Sequence, residues 1–137
     1  MDTLNMPSLI TSPYSSVLTN ASEQFCRVDD CSDSAYYYQA FRLKISITGY
    51  YSFKSISNID TYGYMYNNSF VPPDPSQHLL ASNNDDAGNQ QFHLYIKLDT
   101  TSTYFLVVTT FNRNVTGPFS INVTGLGSVA FSPMNAS

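Results

Sequence analysis

Few side chains in this sequence are suited to catalysis. It has two histidines, His78 and His93, and a single glutamate, Glu23. Neither histidine belongs to a His-Glu-x-x-His motif, and there is no Gly-x-Ser-x-Gly turn and no phosphate-binding glycine loop. Asp85 and Asp86 are adjacent in a turn, whereas a paired-carboxylate hydrolase separates its two carboxyls by about 5–10 Å across a cleft. The sequence therefore predicts that the protein is not an enzyme.

Calcium is the metal that the acidic residues fit best. Ca²⁺ binds several oxygen ligands from carboxylates, amides and carbonyls. Residues 83–89, Asn-Asn-Asp-Asp-Ala-Gly-Asn, include Asp85 and Asp86, and Asp60 begins a predicted strand that could lie nearby. A second, weaker acidic group surrounds Cys31: Asp29, Asp30 and Asp33. The alternative is that turns simply favour Asp, Asn and Gly. Calcium is thus a candidate cofactor, and none is required.

Three tyrosines are candidates for binding carbohydrate. Tyr36, Tyr38 and Tyr50 lie opposite the residues that alternation assigns to the core, and an exposed aromatic face can stack on a sugar ring. The alternative is that they fill sandwich edges or contacts between modules, because tyrosine has both an apolar ring and a polar tip. The chain contains no tryptophan.

One cysteine pair and five sequons indicate an oxidising, glycosylating compartment. Cys26 and Cys31 are the only cysteines, and a disulfide between them would stabilise the fold by about 2 kcal/mol. The alternative is two unpaired, buried thiols. N-linked glycans are predicted at five Asn-x-Ser/Thr sites: Asn20, Asn67, Asn114, Asn122 and Asn135. We therefore predict an extracellular protein, either secreted or on the cell surface.

The charge balance excludes two classes of partner. The net charge is −4, and the six basic residues are scattered along the chain rather than forming a stripe that could follow phosphates. Nucleic acid and anionic membranes are therefore not expected as partners. No apolar run is long enough to span a bilayer. The first sixteen residues do not resemble a signal peptide, so we expect the chain to be a segment of a longer polypeptide.

The pattern of apolar residues predicts an all-β protein. Phe41, Leu43, Ile45 and Ile47 alternate with polar residues, as in a strand with one buried face. Residues 50–55 follow the turn Thr48-Gly49 and are expected to return as the second strand of a hairpin. Residues 104–110 are apolar on both faces, as in a central strand. Turns every 8–12 residues predict a β-sandwich of about seven to nine antiparallel strands.

The two ends of the chain are more polar than its middle. Residues 1–16 contain Pro7 and Pro13 and predict an N-terminal arm or linker. Residues 17–124 are expected to form the sandwich. Residues 125–137 are expected to be a C-terminal tail, linker or short strand, because residues 129–131 are apolar. Such a segment could add itself as a strand to a neighbouring copy, or the ends could be flexible linkers between modules.

The order of short motifs resembles the bacterial pre-peptidase C-terminal domain and related tandem modules of secreted proteins. The resemblance covers about two-thirds of the chain, from Tyr36 to Thr124. The motifs are Gly49-Tyr50-Tyr51-Ser52-Phe53, Asp60-Thr61-Tyr62-Gly63-Tyr64, Leu80-Ala81-Ser82, Asp85-Asp86-Ala87-Gly88, Tyr104 to Val108 and Gly117 to Ile121. It implies a jelly-roll-like sandwich that serves as an accessory part of a secreted protein, and some relatives bind calcium.

These observations together predict an extracellular, glycosylated structural or adhesive module. It would be one of a tandem series or a subunit that assembles into a filament or matrix, and its partners would be copies of itself or neighbouring modules. The alternative is a carbohydrate-binding accessory domain, either with or without a dependence on calcium.

Overall fold

The chain folds as a sandwich of β-strands. The structure, a computed structural model, describes residues 8–134, and no helix in that range could span a membrane. Its strands, in chain order, are β1 (Ile10–Leu18), β2 (Glu23–Phe25), β3 (Tyr36–Ile45), β4 (Gly49–Ser57), β5 (Thr61–Asn67), β6 (Leu79–Asn83), β7 (His93–Leu98), β8 (Tyr104–Thr110), β9 (Gly117–Gly125) and β10 (Val129–Pro133).

The ten strands form two antiparallel sheets. The four-stranded sheet has the order β1-β9-β4-β7. The six-stranded sheet has the order β10-β3-β8-β5-β6, and β2 pairs with the first part of β3. The predicted all-β sandwich is therefore confirmed. The structure has one strand more than the upper limit of the predicted seven to nine, and the additional strand is β1.

Strand β1 lies where the sequence predicts an arm. Residues 10–18 pair along their whole length with β9, from Ile10 opposite Gly125 to Leu18 opposite Gly117. The segment is polar because β1 is an edge strand with one face in solvent, and Pro13 is tolerated at an edge. At the other end, residues 129–133 pair with β3 of the same chain rather than standing free. From Ile10 onward the predicted arm is thus part of the sandwich.

The turn after β3 does not make the predicted hairpin. Strands β3 and β4 belong to different sheets, so Thr48-Gly49 carries the chain across the sandwich. The reason is that Phe41, Leu43 and Ile45 face Tyr51 and Phe53 across one core, which requires opposite sheets. Ile47, which alternation assigns to the core, is 48% exposed because β3 ends at Ile45. The connection between β8 and β9, also predicted as a hairpin turn, likewise crosses between the sheets.

The main core lies between the two sheets and follows the predicted alternation. Strand β8 is central and buried on both faces, as the sequence predicts. The inward residues of β3, β7 and β9 that alternation identifies are buried, apart from a half-buried Ile96: Phe41, Leu43, Ile45, Phe92, Leu94, Leu98, Phe119, Ile121 and Val123. This shared core fixes the spacing of the sheets and leaves alternate residues of each strand facing outward.

A second apolar cluster covers the outer face of the six-stranded sheet. It contains Phe25, Tyr36, Tyr38, Ala40, Tyr64, Tyr66, Phe70 and Val107. Phe25 of β2 adds its side chain to the cluster, the proline-rich segment 68–78 lies over this face, and the Tyr66 hydroxyl donates to the Pro75 carbonyl oxygen at 2.6 Å. Burial raises the pKa of Tyr64 and Tyr66, so both stay neutral. The six-stranded sheet therefore has no open face here.

A disulfide loop closes one end of this second cluster. Cys26 and Cys31 form the predicted disulfide. Between them Arg27 is 5% exposed, and its guanidinium lies 4.6 to 5.1 Å from the ring centres of Tyr36, Tyr62 and Phe111. Its Nη1 also donates to Asp29 at 3.0 Å. Arginine stacks well on aromatic rings because its charge is spread over a plane. The loop is thus anchored by a buried cation as well as by the disulfide.

Candidate functional site

The four-stranded sheet presents one face to solvent, which the loop 87–89 borders beside Lys54, Ile56 and Asn122. We call this face the platform. Its residues are the outward-facing ones of the four strands, which alternate with buried or half-buried residues. They are Thr11, Pro13, Ser15 and Val17 on β1, Pro118, Ser120, Asn122 and Thr124 on β9, Tyr50, Ser52, Lys54 and Ile56 on β4, and His93, Tyr95 and Lys97 on β7.

Two stacked tyrosines dominate the platform. The rings of Tyr50 and Tyr95 lie with centres 5.3 Å apart and planes 20° from parallel. Tyr50 is 55% exposed and Tyr95 is 67% exposed. They come from neighbouring strands, since Ser52 is directly opposite Tyr95 and Lys97 is directly opposite Tyr50. The diagonal spacing between such positions lets long aromatic side chains touch. Each ring supports the other, so the pair is ordered before a ligand arrives.

Hydroxyl and amide groups occupy much of the rest of the platform. Ser15 and Ser120 share a hydrogen bond of 2.7 Å between their hydroxyls, and Ser52 Oγ and His93 Nε2 share one of 2.8 Å. Asn122 lies directly opposite Lys54 on the adjacent strand. None of the fifteen platform residues carries a carboxylate. The platform therefore offers aromatic surface, neutral hydrogen-bonding groups and positive charge.

His93 is held in its neutral form near neutral pH. Burial lowers the pKa of His93, and the charge of Lys54 lowers it further, while Asp86 acts in the opposite direction. The sequence predicts a solvated histidine on an outward face. His93 does face outward, but it is half-buried and bonded to Ser52. Within residues 8–134 its other ring nitrogen has no hydrogen-bond partner, so the pair lacks the orienting group of a catalytic triad.

The structure separates the three tyrosines proposed as sugar-binding residues. Tyr50 is exposed on the platform as the alternation predicts. Tyr36 and Tyr38 are 2% and 6% exposed, so the prediction that they are open to a ligand is wrong. The physical reason is that Arg27 packs on Tyr36, while Phe25 and Phe70 pack on Tyr38. The Tyr36 hydroxyl is instead a donor to Asp30 inside the protein.

The acidic residues proposed for calcium are only partly brought together. With its amide nitrogen turned toward them, Asn84 lies 3.2 Å from Asp60 Oδ1 and 3.3 Å from Asp85 Oδ1. The charge of Asp86 acts instead on His93, where it partly offsets the lowering of the His93 pKa. No cluster of three or more His, Cys, Asp or Glu suited to a metal occurs among the described residues. Calcium binding stays a prediction, and a rise in melting temperature on calcium addition is its test.

Asp60 should make the protein less stable as the pH rises through the mildly acidic range. Burial raises the pKa of Asp60, and the charge of Asp85 raises it further. Since the folded state then holds its proton more tightly than the unfolded state, stability falls as pH rises from about 4 through the folded pKa. We expect Asp60→Asn to flatten this slope in urea denaturation between pH 4 and 7. Asp74→Asn is a control with the opposite sign, because hydrogen bonds from Gln77 and Ser76 lower the pKa of Asp74.

Four of the five sequons lie in the described part of the chain. Asn20, Asn67 and Asn114 are exposed, in a turn, at the end of β5 and in the connection between β8 and β9. Asn122 is half-buried on the platform. The fifth site, Asn135, lies outside the described residues. Glycosylation stays a prediction at all five, and the exposed positions of Asn20, Asn67 and Asn114 are compatible with it.

No protein-family model matches the sequence, and no curated protein matches it. Solved structures do align with the chain, including the following two. One is the pre-peptidase C-terminal domain of a collagenase from Bacillus anthracis, at 11% identity, covering 83% of this chain and 89% of that one with a TM-score of 0.51. This chain has the fold of a pre-peptidase C-terminal domain. The resemblance seen in the motif order is therefore confirmed for the fold.

The other structure is the CBM35 from Cellvibrio japonicus Abf62. It is 12% identical, covers 85% of this chain and 96% of its own, and has a TM-score of 0.39, too distant to support an argument.

Within this pre-peptidase C-terminal-like sandwich, the sequence did not identify Tyr95 as a site residue. Alternation in β7 places Tyr95 outward, between Leu94 and Ile96. Alternation does not give the register between β4 and β7, and only this register shows that Tyr95 lies diagonal to Tyr50. The signal available in the sequence was an aromatic residue at an outward position of an alternating strand, which is a reason to look for a partner.

Proposed function

We propose that this chain is an extracellular, N-glycosylated adhesive module that binds carbohydrate through the platform. The observation that carries the proposal is the exposed Tyr50–Tyr95 stack within a face of hydroxyls and amides. Apolar sugar faces pack on aromatic rings, while sugar hydroxyls exchange hydrogen bonds with Ser, Thr and Asn side chains. A flat sheet face suits an extended chain of sugars better than a single ring.

The extracellular part of the proposal is supported by the disulfide loop. Disulfides persist in oxidising compartments and are rare in the cytosol. Cys26 is buried and Cys31 is exposed, and the pair closes a loop of four residues over the second cluster. The exposed sequons favour the same location, because glycans require surface positions.

Removing either platform tyrosine should weaken carbohydrate binding by about fivefold, since ring stacking contributes on the order of 1 kcal/mol. The experiment compares Tyr50→Ala, Tyr95→Ala and the double variant on a glycan array, followed by titration calorimetry with the best ligand. Leu80→Ala is the matched control, because Leu80 is an exposed large apolar residue on the other sheet.

The variants should fold normally, because both tyrosines are exposed and exposed substitutions change stability little. Melting temperature is measured for each variant to verify this. Unchanged affinity in the folded double variant would refute the platform as the binding surface. Failure of the unaltered protein to bind any glycan on the array would refute carbohydrate binding altogether.

A further inference from the structure

The charges of this chain are unevenly distributed over its surface. Its net charge is −4, yet the platform has two lysines and no carboxylate. Of the four cations elsewhere, Arg27 pairs with Asp29 and Arg113 pairs with Asp30 and Asp33, all at 3.0 Å, while Arg42 and Lys44 are exposed on β3 of the other sheet. Lys54 and Lys97 have no ion-pair partner within residues 8–134, although the charge of Asp86 reaches His93 at the border of the platform. The charged side chains of the platform itself are thus both positive on an acidic protein.

The two lysines flank the tyrosine stack. Lys97 is directly opposite Tyr50 on the neighbouring strand. Lys54 lies four residues further along the strand of Tyr50, beyond Ser52, which is opposite Tyr95. At the rise and spacing of a β-sheet, the backbones at the two lysines are roughly 14 Å apart. This distance exceeds one sugar ring, so a ligand that reaches both charges and the stack is an oligomer.

Both cations of the platform are lysines rather than arginines. A lysine ammonium is a compact point charge on a flexible stem that binds an anion without the fixed geometry of a guanidinium. His93, between Lys54 and the stack, is neutral near neutral pH, so it hydrogen-bonds and adds no third charge. The arrangement suits a chain whose acidic groups recur at intervals and whose sugar faces remain free to stack.

We propose that the platform binds an acidic polysaccharide, with Lys54 and Lys97 each facing one of its carboxylate or sulfate groups and Tyr50–Tyr95 stacking on the sugar between them. This inference rests on the proposed function, because it names the ligand class of the same surface. The acidic ligand adds a measurable expectation to carbohydrate binding: a neutral polymer should bind much more weakly than the acidic polymer with the same backbone.

The experiment uses two pairs of polymers that differ only in charge. Polygalacturonate is compared with its methyl ester, and a sulfated galactan with its desulfated form, by calorimetry in low salt. We expect binding to at least one acidic polymer, and the polymer bound identifies carboxylate or sulfate as the group recognised. Binding should weaken as salt rises, because exposed charges are screened.

Charge-removing variants provide the second arm. Lys54→Gln and Lys97→Gln should each weaken binding of the acidic polymer about two- to fivefold, as expected for exposed ion pairs. Lys44→Gln is the matched control, because Lys44 is an exposed lysine on β3 of the other sheet. It should leave binding unchanged.

The outcomes separate the two proposals. Equal binding of the acidic and neutral polymers, lost in Tyr50→Ala but not in the lysine variants, would overturn the acidic ligand and leave carbohydrate binding intact. No binding to any of the four polymers by the unaltered protein, together with no binding on the glycan array, would overturn both. Acid-selective binding lost equally in Lys44→Gln would also overturn the assignment to the platform.

Discussion

Gly125→Ala should lower the free energy of unfolding by about 3 kcal/mol, at the upper end of the usual cost of overpacking a core. Gly125 ends β9, between β1 and β4, where it lies opposite Ile10 and Tyr51. A β-carbon at this position would lie 2.2 Å from Cδ2 of the Tyr51 ring. Tyr51 is fully buried, and its hydroxyl donates to the Ile47 carbonyl oxygen. The ring therefore cannot turn away without losing that bond and its packing.

Urea denaturation of Gly125→Ala and of a control glycine tests this expectation. Gly88 is the control, since a β-carbon there meets nothing within 4 Å, although its φ of +82° disfavours alanine. Gly88→Ala should cost about 1 kcal/mol, from backbone strain alone. A Gly125→Ala protein no less stable than Gly88→Ala would show that the Tyr51 ring adapts and that the interior is looser than its packing indicates.

Arg27→Ala should cost about 3 kcal/mol, whereas Arg27→Met should cost less than about 1.5 kcal/mol. Alanine leaves a cavity among the rings of Tyr36, Tyr62 and Phe111 and loses the cation–π contacts. Methionine refills the space, packs its sulfur on the rings and removes the cost of burying a charge whose Nε has no hydrogen-bond partner. Asp29 is 56% exposed, so it is hydrated after the arginine is lost.

Thermal and urea denaturation of the two variants measure this difference. Arg113→Ala is the matched control, because Arg113 binds the same disulfide loop through Asp30, and Asp33 just beyond it, but is 42% exposed. It should destabilise the protein much less than Arg27→Ala does, because exposed ion pairs contribute little. If Arg27→Met proved as damaging as Arg27→Ala, the positive charge rather than the packing would be what anchors the loop.

Alternation in the sequence predicts which residues of a strand are buried, but not which sheet the strand joins. It correctly placed Phe119, Ile121 and Val123 inward, because a sandwich strand with one wet face must alternate. The turn Thr48-Gly49 fits both a hairpin and a crossing between sheets, so the pairing of β3 could not be deduced. Only packing of both strands on one core decides between the two.

Burial of Tyr36 and Tyr38 was not predictable from their own strand. Alternation places them opposite Phe41 and Leu43, which usually means solvent. The side chains that pack on them come from other segments: Arg27 of the disulfide loop packs on Tyr36, and Phe25 and Phe70 pack on Tyr38. For the same reason the platform was only half predictable. Tyr50 is outward by alternation, whereas its partnership with Tyr95 depends on a register set by packing elsewhere in the sheet.

The pairing of β1 with β9 has a consequence for how the chain acquires its structure. Among the described strands, β1 pairs with β9 alone, which follows it by about a hundred residues, and β4 also pairs with β9. Of the ten described strands, only β2–β3 and β5–β6 pair in sequence order. Folds dominated by such distant pairings form slowly, because the chain loses the entropy of closing a long loop before the strand contacts can stabilise it. The four-stranded sheet can therefore close only after β9 has been synthesised.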